Sequence, residues 1–486
     1  VRISTYVNKR KILVFAHVPP PHHGQSVMVQ ILLEGLRADA RFEVHHVDAR
    51  VSDDLEDVGS FRPQKFIRLF KCILQAWCLR LRHGRMAFYY VPAPAKRSAI
   101  IRDWVVMTFC RPLFPELILH WHAYGLGEWV AAQNDWQRKL TRVALGKADL
   151  SIVLNNYNKR DAEVFTPNRI EVVPNGIADQ FPDYQTALAP KRKDRAAALK
   201  ALQTVAGNEP RVAGEGIANP ETVRFLFLGH LIETKGVFVA IEATRLANEE
   251  LAKRNAPWRA HLTLAGSFAS EEEKGRVLAA ADAANKSGHG LKRIEEDRSA
   301  RLADARRFLT EGNEVNEGGR GEGGIRNEVE TGCSSNQLIP QAEGLGEIFN
   351  VEYEMRNEGG GGGGMIELVG FLDSGQKKSA LEEADCLVFP TFYEGETQGL
   401  VLLEAMSSGL PVITTSWRGV PEILPEGYFG VAAPRSAAEF AQQMLRLNEL
   451  QLSDELRAHF DGRLDTKKHL CTLLVLLLGK ASRTQV

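Results

Sequence analysis

The sequence predicts an α/β protein built from two parallel-sheet domains, and three observations carry that expectation. Short apolar runs alternate with helix-length segments along both halves of the chain, the rhythm of strand, crossover helix and next strand. One such unit is complete between residues 386 and 414: an apolar run, a polar loop, a helical run stopped by Gly409-Leu410-Pro411, and a second apolar run. The chain has 486 residues, 44% of them hydrophobic, which is enough for two ordinary cores.

In the first half, 11–17 reads as a strand, 19–26 (PPPHHGQS) as a tight loop and 27–36 as a helix. Further strands are predicted at 87–91, 117–121, 150–154 and 170–173, closed by the turn Pro174-Asn175-Gly176. Residues 1–185 thus make a first domain, and 186–222 a polar linker. A second domain is expected over 223–445, with a strand at 223–228, a loop from Gly229 to Gly236, a helix at 237–248 and a strand at 261–265. The rhythm then breaks. From 267 to 364 the chain is charged and Gly-rich, with six consecutive glycines at 359–364, so an insertion is expected, much of 312–364 mobile, with surface helices at 271–284 and 293–309. The pattern resumes at 366–369 and 377–384, and 446–486 reads as C-terminal helices, of which 464–479 is apolar.

Composition narrows the function. A formal net charge of −1 gives no global attraction to nucleic acid. Six cysteines are scattered without metal-ligand spacing, which fits a reducing cytoplasm. Residues 12–18 are too short a run to span a membrane and lack a cleavage site. Residues 63–85 interleave Phe66, Ile67, Leu69, Phe70, Ile73, Leu74, Trp77 and Leu81 with Lys65, Arg68, Lys71, Arg80, Arg82 and Arg85, a basic amphipathic helix. It reads either as a helix lying in the headgroups of an anionic membrane or as a core helix with a wet cationic face.

The chemistry concentrates in FPTFYEGETQGLVLLEAMSSGLPVITTSWRGVPEIL, which starts at Phe389. Glu396 and Glu404 stand eight residues apart across a helix start, up to about 12 Å along its axis. The opening helix turns free N–H groups and a positive dipole end toward an anion. A diphosphate resting on the amides of Thr397, Gln398 and Gly399 would leave one carboxylate for sugar hydroxyls and the other for a ribose diol. The bland reading makes both glutamates solvated charges or caps. It is weaker for Glu404, whose neighbours from Leu400 to Met406 are apolar, because an ionised group there is costly unless paired. Lys235, just after the first strand of the second domain, is placed to meet charge growing on a leaving diphosphate. Gly24 gives a backbone without Cβ at a helix start. His120 and His122 alternate onto one face at a strand end.

This segment resembles the E-x7-E region of the retaining family 4 glycosyltransferases, which have the GT-B architecture of two facing Rossmann-like domains with an interdomain cleft. The resemblance implies that Glu396 contacts donor-sugar hydroxyls, that the amides of Thr397, Gln398 and Gly399 hold phosphate and sugar, and that Glu404 binds the ribose. It also implies that Lys235 holds the leaving group beside His230, where the family usually has Arg, that Gly24 lies against donor phosphate or acceptor, and that His122 sits near the sugar. Glu396, His122 and Lys235 are then the catalytic candidates. Thr397-Gln398 and the additional Glu394 depart from the family pattern and bear on sugar choice. The implied reaction moves a sugar from a nucleotide diphosphate to a glycan or lipid-linked acceptor hydroxyl with retention, by same-side attack without an enzyme nucleophile. No Asp-x-Asp motif is present, so metal independence is expected. The tail helices would pack near the domain junction, and the enzyme would be cytoplasmic, and peripheral on the inner membrane face if residues 63–85 take the headgroup reading rather than the core one. A nucleotide-sugar epimerase or phosphorylase on the same fold, or a non-catalytic relative that binds nucleotide sugar or glycan, stays open as an alternative.

Overall fold

The computed structural model describes residues 9–20, 24–50, 63–208, 221–287, 365–447 and 452–479. The predicted mobile stretch 312–364, the helix at 293–309 and His22-His23 lie outside the described residues. The first lobe runs β1 (Arg10–Phe15), α1 (Gly24–Ala38), β2 (Phe42–Val47), α2 (Pro63–His83), β3 (Ala87–Tyr90), α3 (Arg97–Cys110), β4 (Glu116–Trp121), α4 (Leu126–Ala132), α5 (Asp135–Leu145), β5 (Leu150–Val153), α6 (Asn156–Glu163) and β6 (Ile170–Val172). Its six strands are parallel in the order β2-β1-β3-β4-β5-β6. Strands β3 and β5 are buried throughout, as strands covered on both faces must be; β3 is a continuous apolar run and β5 buries Ser151 among apolar neighbours. Alternation sorts Leu13, Phe15, Phe88 and Tyr90 into one core and Ile12, Val14 and Tyr89 into the other. The edge strand β2, with Glu43, His45 and His46 at its centre, carried no strand signal in the sequence.

The second lobe runs α7 (Ala189–Asn208), β7 (Glu221–Leu228), α8 (Val237–Lys253), β8 (Trp258–Ala265), α9 (Glu271–Ser287), β9 (Ile366–Gly370), α10 (Ser374–Glu383), β10 (Cys386–Phe389), α11 (Leu400–Ser407), β11 (Val412–Thr415), β12 (Val431–Ala432), α12 (Ala437–Leu445) and α13 (Ser453–His459), followed by α14 (Thr466–Leu478). Its parallel sheet has the order β12-β11-β10-β7-β8-β9. The order reverses between β1 and β3 in one sheet and between β7 and β10 in the other. Ligand crevices of open α/β sheets lie at the carboxyl ends of such strands.

Three expectations are corrected. Residues 186–222 are not simply a polar linker, because 189–208 form α7 and Leu188, Ala189 and Leu199 join the second-lobe core. The charges that made the stretch look solvated are spent on neighbours. The buried Arg192 guanidinium donates to the carbonyls of Leu381 and Ala384 at 2.6 and 2.5 Å and of Ser408 at 3.3 Å, closing the ends of α10 and α11. Arg195 makes two bonds to Asp385, at 2.8 and 2.9 Å. Second, the stretch expected to become an insertion at 267 keeps regular structure through α9, which is no bare surface helix, since Val277, Ala281 and Ala284 are buried against the second sheet. Third, the apolar tail meets the junction through its first turn, where Ile177 bridges Asp465 and the His469 ring bonds Pro174 O at 2.7 Å. Its body joins the first lobe: Leu473 and Leu477 sit in the core beneath α1, and a Cβ at Gly35 would fall 2.7 Å from a Leu470 methyl.

Candidate active site

The reversal point between β7 and β10 carries residues singled out in the sequence. The loop after β7 holds His230 and Lys235, and the loop after β10 holds Glu396. Backbone ties join the two loops: Phe392 N–H donates to Thr234 O at 2.8 Å, and Gly236, at φ +86°, lies so close to Pro390 O that a Cβ would stand 2.2 Å from it. This contact brings the Lys235 ammonium onto the Glu396 carboxylate, an ion pair whose side chains are 18% and 10% exposed. The rings of Phe389 and Tyr393 lie 5.8 and 5.1 Å from the Lys235 nitrogen. His230 bonds Ser267 Oγ at 3.0 Å, and desolvation, then the nearby Lys235 charge, lowers its pKa below the ordinary imidazole range.

Gly399 opens α11 at φ +68°, and a Cβ there would meet the Phe389 ring at 2.7 Å. Among the described residues, the amides of Thr397, Gln398 and Gly399 donate to no protein acceptor, so they keep the orphan donors of a helix start. Half-way along α11, Glu404 pairs with Lys377 of α10 at 2.6 Å, which satisfies the charge whose burial the sequence flagged. Sequence reasoning missed Lys377, since nothing local links two residues from different helices. Gly24 sits across from this corner, with its Cβ position 3.5 Å from Leu400 at the start of α11. The starts of α1 and α11 therefore face each other across the two lobes.

The 396–399 loop is also clamped from the first lobe. Tyr124 Oη and Asn155 Nδ2 both donate to Thr397 O at 2.9 Å. The buried Gln398 side chain accepts from the Asn175 amide at 2.8 Å and donates to Leu154 O at 3.3 Å. Its side chain is thus committed to the seam, leaving its amide for a ligand. Glu422 caps α6 by accepting from the amides of Asn156 and Tyr157 at 2.7 and 2.9 Å. A cavity of about 370 Å³ beside this seam is lined by Asn155, Pro174, Gln398, Glu422 and Tyr428, and by neither Glu396 nor Lys235.

His120 and His122 share a face as alternation requires, with ring centroids 4.1 Å apart. His120 is buried and bonded to Tyr89 Oη at 2.5 Å, and burial, then its His122 and His469 neighbours, pushes its pKa well below the usual value. It is a neutral core histidine. His122 is the more open of the two, and the contact from this strand end to the 396–399 loop is made by Tyr124.

Residues 346–449 match the family model described as "Glycosyl transferases group 1". Over 89 residues the chain is 36% identical to the amylovoran biosynthesis glycosyltransferase AmsK of Erwinia amylovora, an alignment covering 17% of this chain and 22% of the relative. The chain thus matches only about a fifth of that relative's length. Among solved structures, sucrose-phosphate synthase from Thermosynechococcus elongatus superposes with a TM-score of 0.53 at 15% identity, covering 96% of this chain and 98% of that one. Anabaena HepE, solved in complex with UDP, superposes with a TM-score of 0.51 at 14% identity over 97% and 100% of the two chains. The C-terminal segment is thus similar to group 1 glycosyltransferases, and the paired parallel sheets share the fold of these solved structures.

Proposed function

We propose that the protein transfers a sugar from a nucleotide diphosphate donor to an acceptor hydroxyl, with retention at the anomeric carbon, in polysaccharide or lipid-linked glycan synthesis. The observation that carries this reading is the Lys235–Glu396 pair at the reversal between β7 and β10, beside the unused amides that open α11. A diphosphate entering there meets one ammonium and several N–H groups, while the glutamate is left to accept from sugar hydroxyls. Glu404, oriented by Lys377, is suited to a ribose diol further along the helix.

In this mechanism the donor bond breaks toward an oxocarbenium-like state, and the main contribution is stabilisation of the departing diphosphate by Lys235 and the α11 amides. The leaving phosphate takes the acceptor's proton and the acceptor attacks from the same face, so no enzyme nucleophile is required. His122 borders the sugar, and His230, largely neutral near pH 7, adds a hydrogen bond. Because cationic and dipolar partners already face the diphosphate, turnover is expected without added Mg²⁺ or Mn²⁺. HepE was solved with UDP, which makes UDP-sugars the first donors to try.

The acceptor side is proposed to work at an anionic membrane surface through α2. This helix buries Leu69, Ile73 and Ala76 while Ile67, Phe70, Leu74 and Leu81 form an exposed stripe, and Arg68, Lys71 and Arg82 line one side of it. No helix among the described residues is long and apolar enough to cross a membrane. A thermal-shift screen of nucleoside diphosphates, followed by radiolabelled transfer from the matching nucleotide sugar, tests the central reading. Binding without transfer or hydrolysis would favour the non-catalytic alternative. Interconversion of donor isomers without acceptor would favour the epimerase.

A further inference from the structure

A second cluster of chemistry-bearing side chains lies at the opposite edge of the first sheet. β2 is the edge strand, and Glu43 and His45, two residues apart, project from the same face of it. The last turn of α2 brings His83 over them. His45 Nε2 is 3.1 Å and His83 Nδ1 is 3.5 Å from the same Glu43 oxygen, Oε1, and the two imidazole centroids are 4.1 Å apart. All three ligand atoms lie within 4.8 Å of one another.

We propose that Glu43, His45 and His83 bind a zinc-class divalent ion that fastens the end of α2 to the edge strand. Ligands held about 2.0–2.1 Å from one tetrahedral zinc stand about 3.3 Å apart, so the observed separations need only small adjustments. Two imidazole nitrogens and one carboxylate oxygen form a donor set that suits zinc, with water completing the fourth position. Lys11, whose register partner is Glu43, does not block it. Its ammonium lies 3.3 Å from the other carboxylate oxygen, Oε2, and donates to the His83 carbonyl at 2.9 Å, leaving Oε1 turned toward the two rings. The ligand side chains are partly exposed, so an ion has a route from solvent.

The proposal stands apart from the sugar-transfer reading and is tested without it. The full chain is stripped with chelator and titrated with Co²⁺, then with Zn²⁺. One equivalent of Co²⁺ is expected to bind with the visible absorption of a four-coordinate ion, to be displaced by Zn²⁺, and Zn²⁺ is expected to raise Tm. His45→Ala and His83→Ala should each weaken binding by at least about tenfold with an unchanged far-ultraviolet dichroism spectrum. Should His45→Ala disturb the edge strand, His83→Asn at the helix end reads the same site. Absence of saturable one-equivalent binding, or wild-type binding in the His83 variants, overturns the proposal and leaves an ordinary histidine–carboxylate contact.

Discussion

Gln398 accepts a hydrogen bond from the Asn175 amide at 2.8 Å, so the loop that carries the candidate donor site in one lobe is fixed by the turn that closes the other. Gln398→Leu leaves the Asn175 N–H and the Leu154 carbonyl without this partner, a loss of about 1–3 kcal/mol. The expected outcome is a lower Tm together with a raised KM for donor, measured by differential scanning fluorimetry and initial rates. A variant with unchanged values of both would show that this seam does not position the loop.

Glu396→Gln keeps the shape of the side chain and removes its charge. Turnover should fall about 10²–10³-fold, the scale of losing one well-placed polar group, while nucleoside diphosphate affinity by calorimetry changes by less than about threefold. A fall in affinity with turnover intact would move Glu396 from the sugar to the nucleotide.

Glu404→Ala should weaken nucleoside diphosphate binding about tenfold, equivalent to about 1.4 kcal/mol. Lys377→Met should weaken it less, because it loosens Glu404 without removing it. Affinity equal to wild type in Glu404→Ala would contradict the ribose assignment.

Stability is expected to fall as pH drops from 7 toward 4. Burial pushes the His469 pKa down to about 4, only partly offset by its bond to Pro174 O at 2.7 Å. The unfolded chain binds this proton near pH 6.5 and the folded chain does not until near pH 4, so across that window unfolding takes up a proton and the native state loses up to about 3 kcal/mol. His120 is shifted in the same direction. Urea midpoints at pH 5 and 7 should differ less in His469→Gln than in wild type, and an equal difference would exclude His469 as a source.

Flotation with anionic liposomes tests α2. Replacing Ile67, Leu74 and Leu81 by Gln should abolish binding, and unchanged binding would sink the membrane role. Arg80 is unsuited to such a test, since its guanidinium donates to Leu113 O at 2.7 Å and holds α2 on the turn that follows α3.

The strand-and-helix order of both lobes was legible because buried parallel strands such as β3 and β10 are unbroken apolar runs. Glu396, Gly399 and Lys235 were legible because polar or Cβ-free residues interrupt those runs at strand ends. What stayed hidden depends on distant partners. Arg192 reads as a solvated cation until the carbonyls of Leu381, Ala384 and Ser408 surround it. Lys377 has no meaning until α10 lies along α11, and β2 reads as loop because an edge strand tolerates Glu and His at its centre.

Because α14 lies under α1, the amino-terminal sheet is finished by residues some 300 positions downstream of its last strand. A fragment cut after residue 185 would expose Leu32, Leu33 and Leu36 to solvent, and one beginning there would carry an orphaned greasy helix. Anyone wishing to study a single half in isolation should graft 464–479 back onto the amino-terminal piece through a short flexible connector.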